Sequence, residues 1–321
     1  MIALAAIESA RERIAGAALR TPLVRLAVDA PGEIWLKLEN LQPIASFKIR
    51  GAANAVRAAD PADLEAGLVT ASAGNMAQGV AWIARELGLP ATIVVPEHAP
   101  ATKLAAIERL GGEVMRVPYE DWWRAIEESR VPGIEGLFIH PVEDEGVMAG
   151  NGTIALEILE DLPDPDAVLV PYGGGGLVTG MASALRALRP TTRVYAVEPE
   201  TAAALNAALA AGAPTEIEYR PSFVDGSGSR SVLPGMWPRV RELIDGAFIA
   251  SLDETAAAVR LLAERTRVVA EGAGALAPAA ALAGRAGEGV VVCVVSGGNI
   301  DLSTLGGILA GGTPGSTEDR A

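Results

Sequence analysis

Short apolar runs alternate with segments of helical periodicity over most of the chain. In a first series, the predicted strands are 68–71, 92–95, 114–117 and 137–139. The predicted helices between them are 76–87, 101–110 and 121–129, where apolar side chains recur at every third or fourth position. Such alternation is typical of a parallel sheet covered by helices.

A second alternating series follows. Its predicted strands are 168–170, 194–197 and 290–295, and its predicted helices end near residues 188, 211, 265 and 283. The segment 214–238 is rich in Pro, Gly and Ser and is predicted to be irregular. The pattern therefore predicts an α/β protein, and 321 residues allow about two domains.

Three polar or glycine-rich loops, 72–79, 173–176 and 296–299, follow predicted strands. The carboxyl ends of parallel strands are where α/β proteins bind their ligands. The four glycines of 173–176 lead from a strand into a helix, so their N–H groups can hold one phosphate group. Their spacing is not that of a dinucleotide site. The alternative interpretation is a tight turn that binds nothing.

The other two loops offer polar groups of different kinds. The N–H groups of 72–79 suit a carboxylate, and Asn75 has a donor and an acceptor for a ring hydroxyl. An ordinary helix cap formed by Ser72 and Asn75 is the alternative. Ser296 ends the last predicted strand, so its hydroxyl can bond a neutral ring nitrogen. A plain strand-to-helix turn is the alternative there.

Lysine is rare in this chain. Of the 26 basic residues, only Lys37, Lys48 and Lys103 are lysine. Arginine stays charged, whereas a desolvated lysine can lose its proton and form a Schiff base. We interpret Lys48 as an attachment point for an aldehyde, with a surface lysine as the alternative. An amine, a monophosphate cradle, a carboxylate pocket and a ring-nitrogen partner together suit pyridoxal 5′-phosphate.

Composition excludes several other classes of function. A net charge of −14 argues against a nucleic-acid partner. No apolar run reaches the roughly 20 residues of a membrane helix, and no secretory signal is visible. The single cysteine, Cys293, fits a reducing compartment, so we expect a cytoplasmic protein. Two distant histidines argue against a zinc site or a Ser-His-Asp triad.

These motifs resemble the serine/threonine dehydratase group of pyridoxal-phosphate enzymes, which has the tryptophan synthase β-chain fold (fold type II). The resemblance runs from about residue 18 to 308 and includes 21–23, 37–40, 46–52, 72–75, 150–157, 173–176, 269–274 and 296–302. It implies two three-layer αβα domains with mostly parallel sheets. Residues 1–50 and 141–321 are expected to form a large cofactor-binding domain, with a small substrate-loop domain, 51–140, inserted.

The resemblance also implies a role for each matching residue. Lys48 is similar to the Schiff-base lysine that takes the α-proton, with Phe47 beside the cofactor ring. Asn75 matches the residue that binds the ring hydroxyl, and Ser296 matches the pyridine-nitrogen partner. The phosphate loop would be formed by Gly173, Gly174, Gly175, Gly176 and Leu177. The loop for the substrate carboxylate would be formed by Ser72, Gly74, Asn75 and Met76.

The implied activity is β-elimination of L-threonine, L-serine or both to a 2-oxo acid and ammonia by a homodimer. Ala73 stands where serine racemases have a second catalytic serine, which favours a lyase most similar to threonine dehydratase. An amino-acid racemase remains an alternative. So do a dehydratase for a bulkier or acidic substrate, such as phenylserine or hydroxyaspartate, and a non-enzymatic cofactor-binding protein.

The chain departs from the family pattern at several positions. The family usually has histidine at Met76 and glutamine at Asn151; Met76 would offer a flexible apolar pocket wall. Some members bind a divalent cation through a glutamate and a carboxylate six residues later. Here the pair is Glu198 and Ala204, so we expect no metal site. The regulatory domain of biosynthetic threonine dehydratases, and its feedback control by isoleucine, are not expected.

Overall fold

Two sheets, both mainly parallel, organise the computed structural model, which describes residues 1–315. In spatial order, the strands of the larger sheet are β1 (Leu23–Arg25), β2 (Glu33–Leu38), β10 (Val290–Val295), β7 (Ala167–Pro171), β8 (Arg193–Pro199) and β9 (Gly246–Ala250). Those of the smaller sheet are β5 (Glu113–Val117), β4 (Ala91–Pro96), β3 (Leu68–Ala71) and β6 (Leu137–Phe138). The pairing of β1 with β2 is antiparallel, and the other strand pairings are parallel.

Helices cover both sheets. They are α1 (Leu4–Arg13), α2 (Lys48–Ala58), α3 (Asn75–Leu87), α4 (Ala101–Arg109), α5 (Tyr119–Glu128), α6 (Glu145–Asp161), α7 (Gly176–Leu188), α8 (Ala204–Ala211), α9 (Trp237–Leu243), α10 (Leu252–Thr266), α11 (Gly272–Leu282) and α12 (Leu302–Leu309). Two single 3₁₀ turns lie at Glu39–Leu41 and Pro61–Leu64. No helix within the described range 1–315 is long and apolar enough to cross a membrane.

The central strand β10 shows why the larger sheet needs helices on both faces. Val292 and Val294 pack into one apolar cluster, whereas Val291, Cys293 and Val295 pack into another on the opposite face. Successive side chains of a strand point to opposite faces, so a continuous apolar run is buried on both sides. The thiol of Cys293 is fully buried, and burial raises its pKa.

The predicted α/β architecture with mostly parallel sheets is confirmed. The predicted strands are present, and 290–295 matches β10 to the residue. Several boundaries differ from prediction. Among them, α5 begins at Tyr119 with Asp121 in its first turn, α10 is capped by Ser251 rather than Asp253, and the segment predicted as irregular already contains the start of α9 at Trp237.

The four strands of the smaller sheet lie within 51–140, the interval predicted as an inserted domain. The predicted boundary between residues 50 and 51 falls inside α2. Residues 316–321 of the predicted larger domain lie outside the described range. The division into domains stays a prediction.

A group of buried charges anchors α2 to its surroundings. Lys37, Glu39, Arg50 and Glu157 are at most 6% exposed, and we call them the paired cluster. The Arg50 guanidinium donates to both oxygens of Glu39 and to both oxygens of Glu157, at 2.6–2.9 Å. Lys37 Nζ donates to Glu157 Oε2 at 2.5 Å. Because each charge faces an opposite charge, the cluster holds β2, α2 and α6 together.

Candidate active site

Lys48 is the first residue of α2, and the turn before it is tied to the end of β10. The backbone N–H of Phe47 donates to the carbonyl oxygen of Ser296 at 3.0 Å, and Ser46 bridges to Gly297. Ser296 is 4% exposed, and Phe47 packs against the core. The expected amine, its neighbouring ring and the expected ring-nitrogen partner therefore lie at one point of the larger sheet.

The Lys48 amine points inward and is weakly partnered. Its Nζ donates to the carbonyl oxygen of Pro141 at 2.9 Å and lies 5.3 Å from the centre of the Phe47 ring. Burial lowers its pKa to about 8. Since burial disfavours the charged form and no carboxylate opposes it among the described residues, an uncharged amine is available near neutral pH.

The segment that receives Lys48 also touches the glycine loop. Val142, which follows Pro141, packs so closely on Gly174 that a Cβ on this glycine would overlap its side chain. A Cβ on Gly176 would lie 3.0 Å from the Val142 carbonyl oxygen. Gly175 has a φ of 101°, a left-handed conformation that favours glycine. The loop therefore needs glycine, and the Pro141–Val142 segment contacts both this loop and Lys48.

The helix that follows the loop supplies the remaining donors. α7 begins at Gly176, so the N–H groups of its first turn are free to meet an anion. The side chain of Leu177 is 5% exposed and packs in the core, which leaves its backbone for such a role.

Loop 72–75 does not form the ordinary helix cap that was the alternative interpretation. Ser72 Oγ accepts from the N–H of Gly74 at 3.2 Å, and Gly74, whose side chain cannot cap, precedes the first helical residue, Asn75. A Cβ on Gly74 would meet no atom within 4 Å. The loop therefore faces open space in which a small carboxylate fits.

Met76 differs from our expectation of a pocket wall. Its side chain is 2% exposed and packs in the apolar cluster between α2 and α3, with Ala52 and Val80 among its members. It lies on the core side of α3 rather than on the side of the cleft. Only its backbone N–H, in the first turn of α3, remains for the predicted role in carboxylate binding.

Asn75 joins the smaller sheet to the larger one. Its Nδ2 donates to Glu271 Oε1 at 2.8 Å, and its Oδ1 accepts from Asn299 Nδ2 at 2.8 Å. Glu271 is 6% exposed, and burial together with the nearby charge of Asp225 raises its pKa to about 7. Loops 72–79 and 296–299, predicted separately, therefore meet through side-chain amides.

His140 shapes the turn that lies against Lys48. Its Nδ1 accepts from the N–H groups of Val142 and Glu143 at 3.0 and 2.7 Å, and its Nε2 donates to the carbonyl oxygen of Ile126 at 3.1 Å. This pattern requires the neutral ring, and burial lowers its pKa to about 4. We call Lys48, Asn75, His140, Glu271 and Asn299 the cleft cluster.

A cavity of about 200 Å³ opens beside this cluster. Its lining includes Lys103, Asp225, Glu271 and Asn299. Lys103 Nζ, on α4, contacts Asp225 Oδ2 at 2.6 Å, so an ion pair joins the two sides of the cleft at its rim. The size suits a small molecule of the amino-acid class.

Glu198, which stands where some family members bind a cation, forms hydrogen bonds with a helix instead. Glu198 accepts hydrogen bonds from the backbone N–H groups of Leu205 and Asn206 and from Asn206 Nδ2, at 2.8–2.9 Å. Its carboxylate therefore caps α8, while Ala204 begins that helix. Residues 1–315 contain no group of three or more His, Cys, Asp or Glu side chains able to hold a metal. The prediction of no metal site stays a prediction.

Asn151 lies near the attachment helix. It is 1% exposed, and its Oδ1 would lie 2.9 Å from a Cβ on Gly51, one turn after Lys48. Neither amide atom of Asn151 has a hydrogen-bond partner within the described structure.

The residues brought together fit pyridoxal 5′-phosphate. A Lys48 amine of lowered pKa suits an aldehyde, glycines that exclude a side chain suit a phosphate, and Gly74 faces open space.

The sequence alone predicted no role for His140, Glu271 or Asn299. The signal for Glu271 was its position inside the 269–274 motif; His140 stood as one of only two histidines, directly before a proline.

Comparison with known proteins agrees with this geometry. The profile of the family described as pyridoxal-phosphate dependent enzyme matches residues 14–297. An L-threonine ammonia-lyase of Thermotoga maritima is 39% identical over 316 residues, which cover 96% of this chain and 78% of that protein. The catabolic L-threonine dehydratase TdcB of Escherichia coli is 39% identical over 95% of both chains. The structure of maize serine racemase superimposes with a TM-score of 0.87, at 33% identity over 95% of both chains.

Proposed function

The chain belongs to the pyridoxal-phosphate dependent enzyme family, and we propose that it catalyses the β-elimination of L-threonine, L-serine or both. One observation carries the proposal. The Lys48 amine, whose pKa is lowered to about 8, donates to Pro141, and the next residue, Val142, packs on the glycine loop. The names of the threonine ammonia-lyase and threonine dehydratase relatives support the choice of substrate.

The residues divide the work of holding the cofactor. Lys48 would hold the aldehyde carbon, and the N–H groups of 173–177 would hold the phosphate. Asn75 would bond the ring oxygen and Ser296 the ring nitrogen. When bound, pyridoxal phosphate supplies an electron sink for the α-carbon of the substrate.

The substrate would be held by loop 72–76 and would exchange a proton with Lys48. Backbone N–H groups at the start of α3 suit the substrate carboxylate. Once the substrate amine has replaced Lys48 at the aldehyde carbon, the freed Lys48 Nζ would take the α-proton, because its lowered pKa gives an uncharged fraction near neutral pH. The α-proton and the β-hydroxyl group leave as water. The released enamine then takes up water and yields a 2-oxo acid and ammonia.

One feature favours a lyase over a racemase with the same fold. Ala73, directly before Gly74, has no hydroxyl group, so this position offers no acid for the opposite face of the substrate.

A substrate panel tests the proposal. The holoenzyme is incubated with L-threonine, L-serine, L-threo-3-hydroxyaspartate and L-threo-3-phenylserine, and 2-oxo acid formation and the chirality of the remaining substrate are measured. We expect 2-oxobutanoate from threonine or pyruvate from serine, without D-isomers. Racemisation without 2-oxo acid, or elimination confined to the acidic or aromatic substrate, would refute the proposed activity.

We also propose a homodimer in a reducing, cytoplasmic setting. Leu41, Val269 and Leu302 are 46%, 44% and 83% exposed, and the Asn40 side chain bonds the Val269 carbonyl at 2.9 Å, which brings the first two together. An exposed apolar patch of this kind is suited to a second copy of the chain. Light scattering should give twice the chain mass, and Leu41→Glu should shift it toward the monomer. A monomeric wild-type protein would contradict the dimer.

A further inference from the structure

The amide of Asn75 is held in one orientation by a chain of hydrogen bonds. This series of hydrogen bonds starts at the carbonyl oxygen of Ile44, which can only accept. Asn299 Nδ2 donates to this oxygen at 2.8 Å. The NH₂ group of Asn299 is thereby fixed. Its other N–H donates to Asn75 Oδ1 at 2.8 Å.

The other end of this series of hydrogen bonds, at Glu271, favours the same orientation of the Asn75 amide. Asn75 Nδ2 donates one N–H to Glu271 Oε1 at 2.8 Å. Above the Glu271 pKa of about 7 this carboxylate is mainly ionised and can only accept, whereas below it the Ile44 end alone sets the orientation of Asn75. Glu271 is itself held in place, because its backbone N–H donates to the Gly297 carbonyl oxygen at 3.0 Å. Both ends therefore require Asn75 to direct its Oδ1 toward Asn299 and its Nδ2 toward Glu271.

One N–H of Asn75 is left over. Among the described residues, Asn75 Nδ2 has Glu271 as its hydrogen-bond partner and no other. Asn75 is partly exposed beside the cavity that Glu271 and Asn299 line. A polar group that approaches Asn75 therefore meets a donor whose direction is set by Glu271 and Asn299, from the other side of the cleft.

We propose that Asn299 and Glu271 are positioning residues that fix the Asn75 amide so that it donates to the ring oxygen of bound pyridoxal phosphate and favours the ionised form of that oxygen. The inference rests on the proposed function, because it takes Asn75 as the partner of the ring oxygen. A donor stabilises a negatively charged oxygen and disfavours its protonated form. An amide turned the other way would favour the protonated hydroxyl group instead.

The test uses the visible spectrum of the holoenzyme rather than its turnover. The ionised ring oxygen gives the longer-wavelength band and the protonated one the shorter-wavelength band. Asn299→Asp places a carboxylate that cannot donate to Ile44 or to Asn75, so Asn75 is expected to turn over. We expect the ratio of the long- to the short-wavelength band to fall by roughly tenfold or more, as for loss of a hydrogen bond to a charged oxygen.

Two variants of Glu271 separate positioning from other roles. Glu271→Gln keeps an acceptor oxygen for Asn75 and should keep the wild-type band ratio, whereas Glu271→Leu removes the acceptor and should lower it. Thermal melts run in parallel identify any variant that does not fold. If the thermal melts show that Asn299→Asp does not fold, the comparison of Glu271→Gln with Glu271→Leu tests the proposal by itself.

Asn206→Asp is the matched control, because Asn206 Nδ2 donates to Glu198 at 2.8 Å in the same manner but on α8. It should leave the band ratio unchanged. Folded Asn299→Asp and Glu271→Leu variants with wild-type spectra would overturn the positioning role while leaving the proposed function intact. A wild-type protein that shows no visible band with pyridoxal phosphate would instead overturn the proposed function.

Discussion

Lys37 and Lys48 are both withdrawn from solvent, but their partners differ. Lys37, in the paired cluster, contacts the Glu157 carboxylate at 2.5 Å and the Thr21 carbonyl oxygen at 2.6 Å. Lys48, in the cleft cluster, donates to one carbonyl oxygen, that of Pro141. Burial lowers the pKa of both, but only around Lys37 do carboxylates oppose that effect.

The two clusters differ as groups in the same way. In the paired cluster, opposite charges raise the pKa of Arg50 and lower that of Glu39 despite their burial, so both stay charged. In the cleft cluster, burial moves the pKa of Lys48 and of Glu271 toward neutrality. The first arrangement stabilises the fold, while the second leaves groups able to exchange protons.

The sharpest test of this difference is Lys48→Met. The variant should lose at least about 10³-fold in kcat, because it removes the proposed base. Its free energy of unfolding without cofactor should stay close to that of the wild type, since no carboxylate loses its partner. Steady-state kinetics and urea denaturation measure the two quantities. A variant that keeps most activity, or unfolds at a much lower urea concentration, would contradict the contrast.

Breaking the paired cluster should have the reverse effect. Glu157→Gln leaves Lys37 and Arg50 facing Glu39 as their one remaining carboxylate, so the free energy of unfolding should fall by about 3–5 kcal/mol. Glu160→Gln is the matched control on the same helix. Glu160 pairs with Arg11 and Arg20 at the surface, so this change should lower the free energy by about 1 kcal/mol or less. Equal losses in the two variants would show that burial does not distinguish the pairs.

The pH dependence of stability sharpens the comparison at Glu271. Its pKa in the folded protein is about 7, against an ordinary value of 4.5. The folded state therefore binds this proton more tightly, so Glu271 should lower the stability by up to about 3 kcal/mol as the pH rises from about 4.5 to 7. His140, whose pKa is lowered to about 4, contributes in the opposite direction, so the Glu271 contribution is read as the difference between the wild type and a Glu271 variant. Glu271→Gln should lack this slope. Denaturation midpoints of the cofactor-free proteins at pH 5 and pH 8 test it, and identical pH dependence in both would contradict the assigned titration.

The smallest predicted effect concerns the phosphate loop. In Gly174→Ala the new methyl group overlaps Val142, so the free energy of unfolding should fall by about 1–3 kcal/mol. Val142→Ala makes room for that methyl group, and the double variant should recover part of the loss. Strictly additive losses in a thermal-melt cycle would show that the contact is not the cause.

Local patterns were enough for the residues whose chemistry lies in one segment. Lys48 stood out because lysine is rare, and the glycines of 173–176 because they join a strand to a helix. No helix was predicted over the residues of α6, where Gly150 and Gly152 interrupt the sequence of good helix formers. In the structure Gly150 packs against the Arg50 carbonyl group and Gly152 against that of Gly180, so these glycines permit close helix packing.

Pairings across the fold left no local signal. Asn75 meets Glu271 and Asn299 only because the fold brings the start of α3 against the loop after β10 and the start of α11, and nothing in the spacing of these residues predicts that contact. The same is true of β2, where the buried charge of Lys37 interrupts the apolar pattern and is stabilised by Glu157 from α6. Met76 was misjudged for the related reason that helix orientation decides which face meets the cleft.

The central claim is that Lys48, and neither of the other two lysines, binds the aldehyde of pyridoxal phosphate. Borohydride reduction of the protein with bound cofactor, followed by peptide mass spectrometry, locates the modified lysine directly. A pyridoxyl group on the peptide that contains Lys48, in near one-to-one yield, is the predicted result. A label on Lys37 or Lys103, or no label on a protein that carries the cofactor, would contradict it.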